Sequence, residues 1–239
     1  MKYDRKIWFV LPMRCLLFLA AFPICGLLTH KNLTEITNLW TILASILNIV
    51  TIVVLLIICK CNNTTYLKMI HHEKKLKGIF KGFLFIVTML LIGMAGMYLA
   101  GWLCYGEFPY LAPMMIAPVP PYIAIINVFI LPLTTTIAED GLYLGCGVNG
   151  FKSKYSAVLI PAFFYALQHS FIPVIFDMKF IIYRFLSFLP LTVWVCFRYY
   201  KGTSVSYIMT GHWLLNIATV IQIVITSFDP ESYVDLLFA

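Results

Sequence analysis

Residues 39–59 read LWTILASILNIVTIVVLLIIC, a run without one charged side chain. At 1.5 Å per residue it forms a helix of about 30 Å, the thickness of a bilayer's hydrocarbon core. The same character extends along the chain. Of 239 residues, 62% are hydrophobic and 11% charged, against roughly 25% charged in ordinary soluble domains. Mean hydropathy is +0.91. The expectation is an all-α polytopic membrane protein of about seven transmembrane helices, with no room for a separate soluble catalytic domain.

The other apolar runs lie at 7–28, 83–105, 122–148, 155–176, 180–199 and 204–228. The first follows Lys2, Arg5 and Lys6, is long for a signal peptide and lacks a small-x-small cleavage site, so it reads as a retained anchor. Pro12 and Arg14 interrupt it, and Arg14 is expected to snorkel to the interface. A basic connector with Lys60, Lys68, Lys74, Lys75, Lys77 and Lys81 against Glu73 is expected on the cytoplasmic side. Counting cations in alternate connections places the N-terminus, 60–81, 149–154 and the turn near Arg198 and Lys201 there too. The tail, with Asp229, Glu231 and Asp235, falls outside, giving a multi-pass protein of the cell membrane. The formal charge of +7 is therefore topological, and nucleic-acid binding is not expected.

Three regions follow. Residues 1–121 hold three spans, the basic loop and a segment broken by Pro109, Pro113, Pro118, Pro120 and Pro121, read as an external loop or a fold over a cavity. Residues 122–228 hold the last four spans, and 229–239 form an acidic tail. The seven cysteines are odd in number and sit mostly in apolar runs, which argues for packing and against a disulfide framework. Cys59 and Cys61 form a C-x-C without a second pair to complete a zinc site.

Ionisable groups within spans are informative because each costs about 2.5–3.5 kcal/mol at a helix centre unless paired or facing water. The fourth span carries Glu139 and Asp140, the fifth His169, the sixth Arg184, the seventh His212 and Asn216; the first three offer only Arg14. Function is therefore expected after residue 120. Helical spacing puts Tyr165 with His169, His212 with Asn216, and Glu139 with Tyr143 on shared stripes. Glu139 and Asp140 point about 100° apart, so they should have different roles. Taken singly, a membrane histidine or asparagine is interhelical glue. Two adjacent carboxylates do not fit that role, and the set together suggests hydrolysis by activated water. No recognisable nucleophile motif and no H-E-x-x-H occurs.

The pattern Glu139-Asp140 with Leu144, Tyr165 to His169, and His212 to Asn216 resembles the CAAX-processing and bacteriocin-processing (CPBP, or Abi) intramembrane proteases. Their signature is E-E-x-x-x-R, F/Y-x-x-x-H and H-x-x-x-N/D on successive late helices. The stretch RYYKGTSVSYIMTGHWLLN also looks like that family's approach to its third motif, and the resemblance covers about residues 122–222. It implies an intramembrane endopeptidase acting on a peptide or membrane-associated protein. Glu139 and His169 would activate water, with His212 and Asn216 forming the oxyanion hole. Asp140 stands where the family has a second glutamate, and Leu144 where it has arginine. Arg184 is the candidate to supply the missing cation to Asp140, with snorkelling to the outer interface as the alternative.

The expected chemistry needs no cofactor. A zinc ion held by Glu139, His169 and His212 is the alternative, since three N/O ligands plus water suit catalytic zinc. A catalytically inactive relative acting as an immunity protein or membrane scaffold is the second reading of the whole. A transporter is disfavoured because broken spans do not occur in paired halves.

Overall fold

The computed structural model describes residues 7–71, 78–108, 110, 112–231 and 233–234. Lys2, Arg5, Lys6, Glu73, Lys74, Lys75, Lys77, Pro109 and Asp235, on which parts of the sequence reading rest, lie outside the described residues. Among the described residues the ordered elements are helical, without strands. They are α1 (Ile7–Val10), α2 (Met13–Thr29), α3 (Leu33–Thr37), α4 (Trp40–Cys61), α5 (Tyr66–Met69), α6 (Ile79–Tyr105), α7 (Pro121–Asp140), α8 (Lys154–His169), α9 (Met178–Tyr200) and α10 (Val205–Phe228). A 3-10 turn covers Pro113–Ile116, and α7 continues as a π-helix over Gly141–Val148.

Among the described residues, six helical stretches are long and apolar enough to cross a membrane: Trp8–Thr29, Trp40–Cys61, Phe80–Tyr105, Pro121–Val148, Met178–Tyr200 and Val205–Phe228. The chain is a multi-pass membrane protein. The run expected at 155–176 is shorter than the sequence suggested. α8 has 16 residues and ends at His169, so it is about 24 Å long. Pro173 accounts for this, because it lacks an N–H and disfavours helical backbone in the residue before it. The chain turns there and re-enters a helix at α9, where the Asp177 side chain accepts from the Lys179 N–H at 2.9 Å.

Packing joins early and late helices, with Phe18 and Phe22 of α2 in one buried core with Val220 and Ile223 of α10. α9 lies against α8 and α6, while α7 lies between α4 and α10. The π-helical continuation of α7 joins Leu55, Leu142, Leu144 and Ile208 in one buried core. A wider turn, in which each N–H reaches five residues back, lets α7 accommodate neighbours that a regular helix would exclude. Gly141 shows why no side chain fits there: a Cβ would come within 2.7 Å of the Tyr66 ring and 2.8 Å of Leu55 Cδ1. α4, uncharged up to Lys60 near its end, is not free of polarity. Asn48 donates to Thr135 at 2.8 Å, and Asn127 of α7 donates back to Thr41 at 2.7 Å. Such bonds hold helices together where lipid offers no hydrophobic drive for association.

Candidate functional site

Glu139 and Asp140 end the regular part of α7, just before the π-helical turn, and both are buried. Their side chains diverge as the helical angle requires. The Glu139 Oε2 atom faces His169 Nε2 of α8 at 3.8 Å and His212 Nε2 of α10 at 3.7 Å. Asp140 turns behind them. Its Oδ1 accepts the Tyr165 hydroxyl at 3.0 Å and lies 3.4 Å from His212 Nδ1. Three late helices, α7, α8 and α10, thus set one carboxylate oxygen against two imidazoles, and the second acid holds one of those rings from its far side.

The protonation pattern follows from the partners. His169 Nδ1 lies 2.8 Å from the carbonyl oxygen of Tyr165, one turn earlier in α8. A carbonyl only accepts, so Nδ1 carries the hydrogen and the neutral ring presents a bare Nε2 toward Glu139. His169 also stacks on Phe188, with centroids 3.7 Å apart. His212 Nδ1 lies 3.1 Å from the Tyr165 oxygen. The single Tyr165 hydrogen goes to Asp140, so His212 Nδ1 donates and its Nε2 faces Glu139 Oε2. Asn216 stands one turn along α10, donating to the His212 carbonyl at 3.1 Å.

The cation is where the sequence did not place it. Arg14 does not snorkel: it is 1% exposed, and its guanidinium donates to Glu139 Oε1 at 3.0 Å. It also donates to Asn48 at 2.9 Å, Thr51 at 3.0 Å and Gln168 at 2.6 Å. Four acceptors from α4, α7 and α8 make this burial tolerable for a planar five-donor group. The expectation that the first spans contribute nothing to this region is therefore corrected. Two signals pointed to Arg14: an arginine amid apolar residues, and Asn48 and Thr51 one turn apart on an otherwise uncharged helix. Leu144, at the position where a cation was expected, is fully buried in the apolar core.

Arg184 does not serve Asp140 either, and it does not snorkel. It is buried at the end of α8, donating from Nε to the His169 carbonyl at 3.3 Å and from Nη2 to Ile172 at 3.2 Å. These carbonyls lie at and just beyond the end of α8, and a cation there suits the helix dipole. Among the described residues Arg184 makes no ion pair.

Glu139, His169, His212 and Asn216 line one cavity of about 560 Å³. Most of its wall is apolar, including Met89, Met97, Leu191 and Leu215. Met115 and Ile116 from the proline-rich segment contribute to it as well. That segment is anchored, with Thr226 donating to the Ile116 carbonyl at 2.7 Å and Val119 N–H donating to Ser227 at 3.0 Å. It folds over the cavity.

Among the described residues Glu139 Oε2 is buried without a hydrogen-bond partner. Its separations from the two Nε2 atoms exceed hydrogen-bonding distance, so a molecule that bridges these atoms sits to their cavity side. The carboxylate oxygen and the bare His169 nitrogen are both acceptors, so the species that satisfies them carries two donors, as water does. Zinc bonds of 2.0–2.2 Å in a tetrahedron place ligands about 3.3–3.6 Å apart. The 3.7 and 3.8 Å separations lie just beyond that range, so the side chains that can hold water also come near a zinc-ligand spacing. The arrangement can orient and deprotonate water beside an apolar chamber. The chain matches no protein-family model, no curated protein and no solved structure.

Proposed function

We propose that this protein is an intramembrane endopeptidase, of the CPBP type that its motifs resemble, cleaving a peptide or membrane-associated protein. The observation that carries this reading is Glu139 Oε2, a buried acceptor facing two imidazole nitrogens at 3.7 and 3.8 Å on the wall of a large cavity. Arg14 fixes Oε1 and leaves Oε2 as the base. Water bridging Oε2 and His169 Nε2 loses a proton to Glu139 as its oxygen adds to the scissile carbonyl carbon. His212 Nε2 and the Asn216 amide face the developing oxyanion. With its Nδ1 hydrogen held by Tyr165, His212 donates from Nε2 as the imidazolium, and Asp140 at 3.4 Å offsets that charge. Collapse of the intermediate breaks the C–N bond, and the proton taken by Glu139 passes to the leaving amine. Asp140 is thus a positioning residue, as is Arg14.

The reaction so written needs no metal. With the shorter α8 counted as a crossing beside the six longer helices, the spans are odd in number, and the cation distribution then suggests a cytoplasmic N-terminus and an outside C-terminus. Leu144 favours a binding-only scaffold; Arg14 pairs with Glu139 and not with Asp140, so the enzyme reading rests on the placement of Glu139 against the two histidines. The test compares membranes carrying the native chain with Glu139→Gln and His169→Ala chains, scored by proteomics for cleaved products. Both variants should stay in the membrane and lose cleavage by about 10²-fold or more, the scale of general acid–base contributions. Full turnover in either variant overturns the reading.

A further inference from the structure

Three sulfur atoms from three chain segments meet at the far end of the π-helical turn. Cys146 Sγ lies 3.4 Å and Cys59 Sγ 3.6 Å from Met69 Sδ. All three residues are buried. The sequence pairs Cys59 with Cys61, but the structure separates them: Cys59 points into the core from α4, while Cys61 is exposed. Cys59 instead shares Met69 as a neighbour with Cys146, 87 positions along the chain by residue number.

Met69 is held at its backbone and given room for its side chain. Asn149 donates from one Nδ2 to the Met69 carbonyl at 2.9 Å and to the Tyr199 hydroxyl at 3.0 Å. Gly145 leaves the space that Met69 enters, since a Cβ there would lie 3.2 Å from Met69 Cε. A flexible side chain is thus fixed with its sulfur aimed at two thiols, in a core where any aliphatic group would fill the volume.

We propose that Cys59, Met69 and Cys146 form a binding site for a soft monovalent ion, copper(I). Thiolate and thioether sulfur select copper(I) over harder ions. A three-coordinate ion with metal–sulfur bonds near 2.3 Å needs sulfurs about 4 Å apart. That is a few tenths of an ångström beyond the separations found, and the Met69 chain supplies the adjustment. Entry of the ion releases one proton from one thiol to solvent. The second thiol and the thioether bind as neutral sulfur, so the charge of the core is unchanged, as its apolar surround of Leu55, Ile70 and Leu142 requires. No electron is transferred. This site does not depend on the hydrolytic reading.

The experiment titrates the purified full chain in detergent, without oxygen, with copper(I) held by a chromogenic chelator. The native chain should withdraw one copper from the chelator. Cys59→Ser, Cys146→Ser and Met69→Leu should each weaken binding by at least tenfold, whereas Cys61→Ser and the distant buried Cys196→Ser should bind as the native chain does. Zinc in excess should not displace the copper. Variants are compared after elution as monodisperse protein, and Met69→Leu, which keeps volume and polarity close, decides the matter if a serine variant fails to fold. The proposal falls if the native chain leaves copper with the chelator, if Met69→Leu binds normally, or if zinc competes.

Discussion

Replacing Arg14 by leucine removes a guanidinium that donates to Glu139, Asn48, Thr51 and Gln168 at 2.6–3.0 Å. Among the described residues the buried carboxylate of Glu139 then has no cation within ion-pair distance except His212 at 3.7 Å. Removing one partner of a buried pair costs about 3–5 kcal/mol, because the other charge is left without compensation. For a chain of this size that is a fall in thermal midpoint of about 6–20 °C, at roughly 2–4 °C per kcal/mol. The assay is a thermal aggregation curve of the detergent-purified protein, run as a double-mutant cycle with Glu139→Gln. The leucine substitution should cost at least about 1 kcal/mol less when combined with Glu139→Gln, since the charge it strands is already gone. Arg14→Lys should fall between, because an ammonium reaches the acid but cannot serve four acceptors in a plane. If the midpoint of Arg14→Leu lies within about 2 °C of the native value, or if the two substitutions add without coupling, the inferred pairing is wrong.

Tyr165→Phe removes the hydroxyl that Asp140 accepts at 3.0 Å. A hydrogen bond to a charged group contributes about 1.5–3 kcal/mol, so the midpoint should fall and cleavage should slow as His212 loses a contact. An unchanged midpoint and rate would show that the hydroxyl does not hold this pair. Gly141→Ala pushes a methyl against Tyr66 and Leu55 at 2.7 and 2.8 Å. Overpacking of this kind costs about 1–3 kcal/mol, read in the same thermal curve, and a neutral result would contradict the close approach. Treatment of active membranes with a zinc chelator should leave cleavage intact. Loss of activity that zinc alone restores would replace the metal-free mechanism.

The helices were legible in the sequence because uncharged apolar runs have few alternatives in a bilayer. α4 lies at Trp40–Cys61, close to the 39–59 run that defined it. The end of α8 was readable in principle from Pro173, but an apolar tail after the proline carried the expected span on to residue 176. The convergence of Glu139, His169 and His212 follows from depth counts on three neighbouring spans, which need only helical rise and connection length. Arg14 was lost for a different reason. Its partner lies 125 positions away, and nothing local distinguishes a guanidinium that snorkels from one that finds four acceptors. The choice between Arg14 and Arg184 rests on how α2 and α9 rotate against α8. Rotation depends on packing at every level of the bundle and leaves little trace in either helix alone.

The pairing of Arg14 with Glu139 also imposes an order on biogenesis. Ribosomes add roughly 5–20 residues per second, so the cation of α2 precedes its acid by on the order of 6–25 s. During that interval the arginine-bearing helix carries an insertion penalty of about 2.5–3.5 kcal/mol if it sits at mid-depth alone. Asn48 and Thr51 arrive sooner and share the wait. A nascent chain halted before α7 holds an uncompensated positive charge in its first hairpin, and quality-control proteases should clear such products fastest.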